Sequence, residues 1–190
     1  MTARRRFETD GYGATTIEAI AAEVGVSSKT VYLAFTTKAA LLRAVWDLAL
    51  KGDEDPDAVA ARPWYAAVLA EPDGEKRLRT LARESVKVKQ RIAPILRVIR
   101  SAGDTDDDLA ALGHLIDTDF WANQRAVVES LHATRSLRRG LGVDRGADIL
   151  WTLNHPDQWL LLVGQRGWTP AEFERWLADS ACFHLLRPAK

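Results

Sequence analysis

The chain has little cysteine, no long apolar run and no excess of either charge, and these absences exclude several classes of protein. The single Cys182 rules out a disulfide within the chain and fits a reducing compartment. No apolar stretch approaches the roughly 18 residues of a membrane span, and the basic N-terminus lacks the apolar segment of a signal peptide. We therefore expect a cytoplasmic protein with no membrane partner.

The charge balance argues at first against nucleic acid as a partner, because 26 basic residues are matched by 26 acidic ones. The positions of the charged residues along the chain weaken this argument. Between Val24 and Trp46 the chain has Lys29, Lys38 and Arg43 but no acidic residue, and residues 4–6 form a separate arginine cluster. A local positive face is therefore compatible with a neutral total.

Catalytic motifs are also missing from the sequence. We find no nucleophile elbow, phosphate-binding glycine loop, metal motif or carboxylate pair, and no histidine has metal-ligand spacing. We therefore expect no catalytic residues, no metal and no cofactor, and an enzyme is the least favoured function class.

The apolar residues recur with helical spacing, and no segment shows the period-two alternation of a half-buried strand. This predicts an all-α fold. The acidic stretch 53–57, which contains Pro56, indicates a break between an N-terminal domain at 1–52 and a larger helical domain at 53–190.

Four helices are predicted in the N-terminal domain from their start and stop residues. The first contains Phe7 and ends at Asp10-Gly11. The second is predicted to start after Thr15 or Thr16 and to stop at Gly25. The third is capped by Ser27 or Ser28 and ends near Phe35. The fourth starts after Thr36 or Thr37 and stops at Gly52.

Six further helices are predicted in the larger domain, at about 63–71, 75–100, 106–138, 144–152, 156–165 and 170–186. Asp104 or Thr105 is expected to cap the helix at 106, Asn154 the helix at 156, and Thr169 the last helix. The charged segment 87–91 is expected to be a solvated face of its helix.

Two short helices joined by Gly25-Val26-Ser27 have the proportions of a helix-turn-helix. In such a motif the second helix enters the major groove and presents its N-terminal side chains to base edges. Here those side chains belong to Ser28, Lys29 and Thr30. The same spacing occurs at ordinary corners of helical proteins, so spacing alone leaves both interpretations open.

The segment 11–45, GYGATTIEAIAAEVGVSSKTVYLAFTTKAALLRAV, strongly resembles the DNA-binding domain of TetR-type transcription regulators. The matching positions are Gly11-Tyr12, Thr15-Thr16, Ile20-Ala21, Gly25-Val26-Ser27, Tyr32, Phe35, Lys38 and Leu41-Leu42. The resemblance implies a three-helix helix-turn-helix domain on a larger helical domain for ligand binding and dimerisation, and a homodimer on a palindromic operator of double-stranded DNA.

The same resemblance assigns roles to individual residues of the first domain. Thr16, Tyr32 and Lys38 are expected to contact phosphates, and Ser28, Lys29 and Thr30 to face the bases. Leu33 stands where the family often has a polar residue, so we expect contact with a thymine methyl there and a poorer polar readout. Whether residues precede Met1 is left open.

A second, local resemblance covers residues 147–180 and implies that the last two helices pair across a two-fold axis. The expected interface residues are Trp159, Leu162, Phe173, Trp176, Leu177 and His184. The alternative is that the last helix packs only within its own chain.

Aromatic side chains predict a pocket for a small-molecule effector, for which the candidates are Trp64, Trp121, Trp151 and His114. Aromatic walls suit an apolar or planar cationic ligand. The alternative is that these tryptophans are ordinary core residues. The sequence thus favours a ligand-responsive repressor, and the second hypothesis is a ligand-binding or interaction protein whose DNA-binding domain has lost tight operator binding.

Overall fold

The computed structural model describes residues 2–52 and 62–187, and within these ranges the protein is helical with no β-strand. The predicted all-α fold is confirmed. The helices are α1 Thr2–Ala14, α2 Ile17–Val24, α3 Ser28–Ala34, α4 Lys38–Lys51, α5 Pro63–Ala70, α6 Gly74–Gly103, α7 Asp107–Ala133, α8 Val143–Asn154, α9 Pro156–Trp159 with a π-helical continuation Leu160–Gln165, and α10 Pro170–Leu185.

Local capping explains where the helices around the turn begin and end. The hydroxyls of Thr16, Ser27 and Thr37 each accept a hydrogen bond from the backbone N–H three residues later, which satisfies a donor that the first helical turn leaves free. Gly25 ends α2 with φ 74° and Gly52 ends α4 with φ 75°. These boundaries confirm the predicted ones and choose among the alternative caps.

The first helix differs from its prediction at its C-terminal end. Gly11 breaks the helical backbone with φ 80° and ψ 168°, but helical residues resume and continue to Ala14. The carbonyl of Gly11 accepts both the backbone N–H and the hydroxyl of Thr15, at 3.3 and 2.7 Å. The predicted end at Gly11 is therefore an interruption, since these bonds hold one more turn beyond it.

Two boundaries in the larger helices also correct the predictions. The cap of α7 is Asp106, whose Oδ1 accepts from the N–H of Leu109 at 3.2 Å, and neither Asp104 nor Thr105 takes that place. The helix ends at Ala133, short of the predicted 138, because Arg135 adopts a left-handed φ of 59° and the N–H of Ser136 turns back to the carbonyl of Leu131.

The expected cap of the helix at Pro156 is a further correction. Asn154 is the last residue of α8 and is buried, and its side chain points into hydrogen bonds with other helices. His155 is the cap, since its Nδ1 accepts from the N–H of Asp157 at 3.3 Å. At Thr169 the prediction is confirmed, and Glu172 completes a capping box there.

The chain divides into two compact units, and α6 and α7 contribute to both. The first unit contains the described part of Met1–Asp55 together with Arg91–Ile116, and the second contains that of Pro56–Gln90 with Asp117–Lys190. The acidic stretch 53–57 lies outside the described residues, and the division at residue 52 stays a prediction.

Each unit has its own apolar core. In the first, side chains of α1, α2 and α4 are buried, among them Phe7, Ile20 and Leu42. In the second, helices α5 to α8 and α10 enclose a cluster of buried residues, which comprises Tyr65, Val68, Leu78, Leu81, Val127, Val128, Leu131, Leu137, Leu150, Ala181 and Leu185. None of the described helices is both long and apolar enough to cross a membrane.

Candidate functional site

The turn between α2 and α3 is fixed by backbone hydrogen bonds as well as by its cap. Gly25 directs its N–H to the last carbonyls of α2, and Val26 donates to the carbonyl of Ala21 at 3.0 Å. Ser27 then accepts from the N–H of Thr30 at 3.1 Å, and the two hydroxyls lie 2.8 Å apart. The direction of α3 relative to α2 therefore follows from local chemistry.

The outer surface of α3 carries the side chains that were predicted to meet DNA. Lys29 and Thr30 are exposed, Ser28 is half-buried, and Val31 points into the core. Tyr32 and Leu33 are exposed by 44% and 78%. A charged group and a hydroxyl group are thus presented near the N-terminus of one short helix, with the apolar Leu33 exposed in its last turn.

Thr16 lies at the N-terminus of α2 and is also exposed. Its Oγ1 accepts from the N–H of Ala19 at 3.1 Å, so its oxygen serves the helix cap. The helix N-terminus behind it carries partial positive charge, which favours an anionic group such as a phosphate. Its predicted role as a phosphate contact stays a prediction.

Lys38 has a structural role that the sequence did not indicate. Its Nζ donates to the carbonyls of Tyr12 and Thr15, at 2.8 and 3.0 Å, and lies 4.1 Å from the centre of the Tyr12 ring. The ammonium therefore caps the end of α1, where free carbonyls carry partial negative charge. These carbonyls use two of its three N–H groups, and its predicted contact with a phosphate stays a prediction.

The arginines that precede Phe7 are engaged within the first unit. Arg5 and Arg6 both bind Glu23 of α2, the latter at 2.7 Å, and Arg4 binds Glu8 at 2.7 Å. Hydrogen bonds from Arg5 and Arg6 lower the pKa of Glu23. These contacts fasten α1 to α2, and any approach of the arginines to DNA must compete with them.

The predicted effector residues occupy different surroundings. Trp64 packs against the core of the second unit, and the indole N–H of Trp121 donates to Asp148 at 3.1 Å. The Nε1 of Trp151 is buried and has no acceptor among the described residues, and its ring lies 4.5 Å from that of His155. His114 is exposed and belongs to the first unit, whereas the three tryptophans belong to the second, and the effector role of these residues stays a prediction.

The predicted dimer residues divide into two sets. Trp159, Phe173 and Leu177 are at most 7% exposed and pack within their own chain. Leu162 and Trp176 are half-buried and His184 is exposed, so these three reach the surface of the single chain. The interface itself stays a prediction.

A buried polar cluster in the second unit was missed by the sequence interpretation. Lys89 of α6 donates to Oδ1 of Asn154, whose Nδ2 donates to Ser85 at 3.0 Å and to Gln124 at 3.1 Å. All four residues are buried, and Lys89 is 2% exposed. We call these four residues the Lys89 cluster.

The prediction that residues 87–91 form a solvated helix face is therefore wrong for Lys89, which is buried. The signal was present in the helical spacing, since Lys89 stands four residues after the buried Ser85 and three before the buried Ile92. Lys87 is exposed and pairs with Glu84 at 2.8 Å.

Comparison with known proteins agrees with the geometry of the first domain. Residues 2–45 match the model of the family described as bacterial regulatory proteins, tetR family, which confirms the predicted resemblance. No curated protein matches the chain.

Solved structures match the whole chain at low sequence identity. A TetR transcription regulator from Haloarcula marismortui has a TM-score of 0.71 at 20% identity, covering 97% of this chain and 94% of its own. A protein from Saccharomonospora viridis in complex with choline has a TM-score of 0.71 at 18% identity, with coverages of 98% and 95%. NalD, the secondary repressor of the MexAB-OprM multidrug efflux pump in Pseudomonas aeruginosa, has a TM-score of 0.67 at 18% identity, with coverages of 99% and 94%. These similarities establish the fold.

Proposed function

We propose that this chain, which has the TetR-family fold and carries that family's DNA-binding segment at residues 2–45, is a cytoplasmic regulator of transcription that binds a palindromic operator as a homodimer. It acts as a repressor that a small apolar or aromatic effector releases from DNA. It needs no cofactor and performs no catalysis.

The observation that carries the proposal is the N-terminus of α3. Its cap fixes the helix against α2, Val31 anchors it, and Lys29, Thr30 and Tyr32 are exposed at the surface. An α-helix fits the major groove, and a Lys and hydroxyl groups at its start are suited to base edges and phosphates. Thr16 at the N-terminus of α2 adds a second place for a phosphate.

Support for the homodimer comes from apolar groups at the end of the chain. Phe183 of α10 is 69% exposed, Leu161 is 46% exposed, and His184 lies beside Phe183 with ring centres 5.0 Å apart. Large apolar side chains that are exposed in a single chain, here on α10 and on the π-helical segment 160–165, are typical of a protein–protein interface. A two-fold pair of chains would present two α3 helices to the two half-sites of a palindrome.

Titration of the purified protein against DNA from upstream of its own gene, at several salt concentrations, tests the proposal. We expect a specific complex of two chains whose affinity falls steeply as salt is raised, because phosphate contacts release counterions. Binding to the upstream DNA that is no tighter than binding to random DNA would contradict it.

Two lysine variants separate the predicted contacts. Lys29→Ala should relax discrimination between operator variants, by about 1–3 kcal/mol at the base it faces. Lys38→Ala should weaken binding to all sequences alike and lower the salt slope by about 1. Lys87→Ala, which removes an exposed lysine far along the chain on α6, is the control and should bind as the wild type does. Equal relative losses on specific and random DNA for Lys29→Ala and Lys38→Ala would contradict the assignment.

One feature favours a second candidate, a ligand-binding or interaction protein without tight operator binding. Leu33, at 78% exposed, is the most exposed large apolar side chain among the described residues, and it stands on the surface that would read bases. In this case ligand binding would persist although the upstream DNA binds no better than random DNA.

A further inference from the structure

The Lys89 cluster contains a buried amine to which the described residues supply no anionic partner. The ammonium has three N–H donors, and Asn154 Oδ1 is the only hydrogen-bond acceptor that the described residues supply to it. Two carboxylates, Asp117 and Asp157, lie 3.8 and 3.3 Å from the nitrogens of His155. No described carboxylate lies within ion-pair distance of Lys89.

Burial of such a group is expensive, which makes its presence informative. An ammonium moved from water into an apolar interior loses several kcal/mol of hydration, and a charge partner must offset the loss. The pKa of Lys89 falls to about 7 through this desolvation. The free protein therefore holds a group that an added anion would stabilise in its charged form.

The surroundings of the ammonium are aromatic. Nζ lies 5.9 Å from the ring centre of Phe120 and 5.8 Å from that of Phe173. Phe120 meets His155 with ring centres 6.3 Å apart, and Phe173 meets Trp159 at 5.2 Å. Two apolar rings within 6 Å of the amine suit a molecule with an apolar or aromatic body and one charged end.

A further buried donor, to which the described part of the chain supplies no acceptor, lies on α8. The indole N–H of Trp151 is buried without a hydrogen-bond partner in residues 2–52 and 62–187, and this ring lies against His155, the neighbour of Asn154 in sequence. Buried donors without acceptors are uncommon in folded proteins. Lys89 and Trp151 are thus two of the buried N–H donors of the second unit that lack sufficient acceptors among the described residues, and the Nε atoms of Arg77 and Arg138 are two others.

We propose that the Lys89 cluster binds the anionic group of the effector, which makes the effector an apolar or aromatic carboxylate. This inference rests on the proposed function only in calling the bound molecule an effector. Binding of the anion itself is measured on protein without DNA. It excludes a cation such as choline at this cluster, since like charges repel in a buried environment.

Tryptophan fluorescence and calorimetry with benzoate, phenylacetate and octanoate, each compared with its primary amide and with choline, test the proposal. We expect at least one carboxylate to bind, and its amide to bind about tenfold to a hundredfold more weakly, as befits a charge-assisted hydrogen bond. Choline should not bind. Binding by none of the three carboxylates, or equal binding of an acid and its amide, would overturn the proposal.

Two variants of the cluster and one control locate the site. Lys89→Met, which keeps the length and removes the charge, should lose the preference for acid over amide. Asn154→Asp supplies an internal carboxylate to the ammonium and should abolish anion binding in a folded protein, so the test survives if Lys89→Met does not fold. Lys87→Met, on the exposed face of α6, should bind as the wild type does. Unchanged carboxylate binding in both cluster variants would overturn the proposal.

A parallel DNA titration keeps the two proposals apart. Carboxylate binding that depends on Lys89, in a protein that does not bind its upstream DNA, would contradict the proposed function and leave this inference intact. Specific DNA binding without any carboxylate binding would contradict this inference and leave the proposed function intact.

Discussion

The hydroxyl of Tyr12 donates a hydrogen bond to Asp106 over 2.8 Å, although the two residues are 94 positions apart in sequence. The ammonium of Lys38 lies over the ring of the same tyrosine, and the other oxygen of Asp106 caps α7. Burial and the neighbouring carboxylate both raise the pKa of Tyr12, so the phenol stays protonated and donates. Tyr12 thus connects α1, α4 and the start of α7 within the first unit.

Tyr12→Phe should lower the free energy of unfolding by about 1.5–3 kcal/mol, because it removes a hydrogen bond to a charged acceptor and leaves the ring in place. Urea denaturation measures the loss. Tyr32→Phe is the matched control, since the Tyr32 hydroxyl is on the exposed surface of α3, and it should stay within about 0.5 kcal/mol of the wild type. Equal effects of the two variants would refute the importance of the Asp106 bond.

Lys38→Met should reduce stability as well as DNA affinity, whereas Lys29→Met should reduce DNA discrimination alone. The first substitution removes two hydrogen bonds to the end of α1 and a cation–π contact, together worth about 2–4 kcal/mol. The second removes an exposed charge. Thermal unfolding without DNA separates them, and an unchanged melting temperature in Lys38→Met would show that the contacts with α1 contribute nothing.

Gly25→Ala and Gly13→Ala should shift stability in opposite directions. A Cβ at either position meets no other atom of the described residues within 4 Å. The backbone conformation alone therefore decides how alanine changes the stability. Gly25 has a φ of 74°, which costs an alanine about 1–2 kcal/mol. Gly13 has no such φ and lies in the last turn of α1, where alanine should gain about 0.5–1 kcal/mol. The sign of each change in unfolding free energy checks this, and a loss in both variants would be unexpected.

The stability of the wild type should rise with pH relative to that of Lys89→Met. Lys89 has a pKa of about 7 in the folded chain and 10.5 as its ordinary value, so the unfolded chain binds the extra proton between those values. Stability rises with pH where the unfolded state binds more protons, here by about 1.4 kcal/mol per unit between about pH 7.5 and 9. Urea denaturation of both proteins across this range measures the difference, and parallel curves would show that Lys89 keeps its charge in the fold.

Much of the fold around the candidate DNA-binding site could be predicted because its signals are local. A Thr or Ser caps a helix through an N–H three residues away, and Gly25 and Gly52 end helices by their own backbone freedom. The start of α3 and the face that Val31 buries follow from such short-range rules. The exposure of Lys29, Thr30 and Leu33 follows in turn.

Where two local signals compete, the sequence alone could not predict the helix boundary. Asn154 and His155 can both cap a helix at Pro156, and the choice depends on Lys89, Ser85 and Gln124, which draw the Asn154 side chain inward. In the same way, α7 ends early where Arg135 turns and the following backbone pairs with distant residues, such as Arg138 with Leu185 at 2.7 Å. Tertiary partners decide such boundaries because their hydrogen bonds outweigh small differences in helix propensity.

The sequence by itself determined the all-α fold, the helix-turn-helix and the residues that this motif exposes, because periodicity and capping act within a few positions of the chain. Only the tertiary structure decided that the amine of Lys89 is buried, that Lys38 caps α1 and that Tyr12 meets Asp106. Each of these facts depends on which groups from distant helices surround the side chain. Burial and the loss of water, which no local pattern records, then set the charge and the chemistry of these groups.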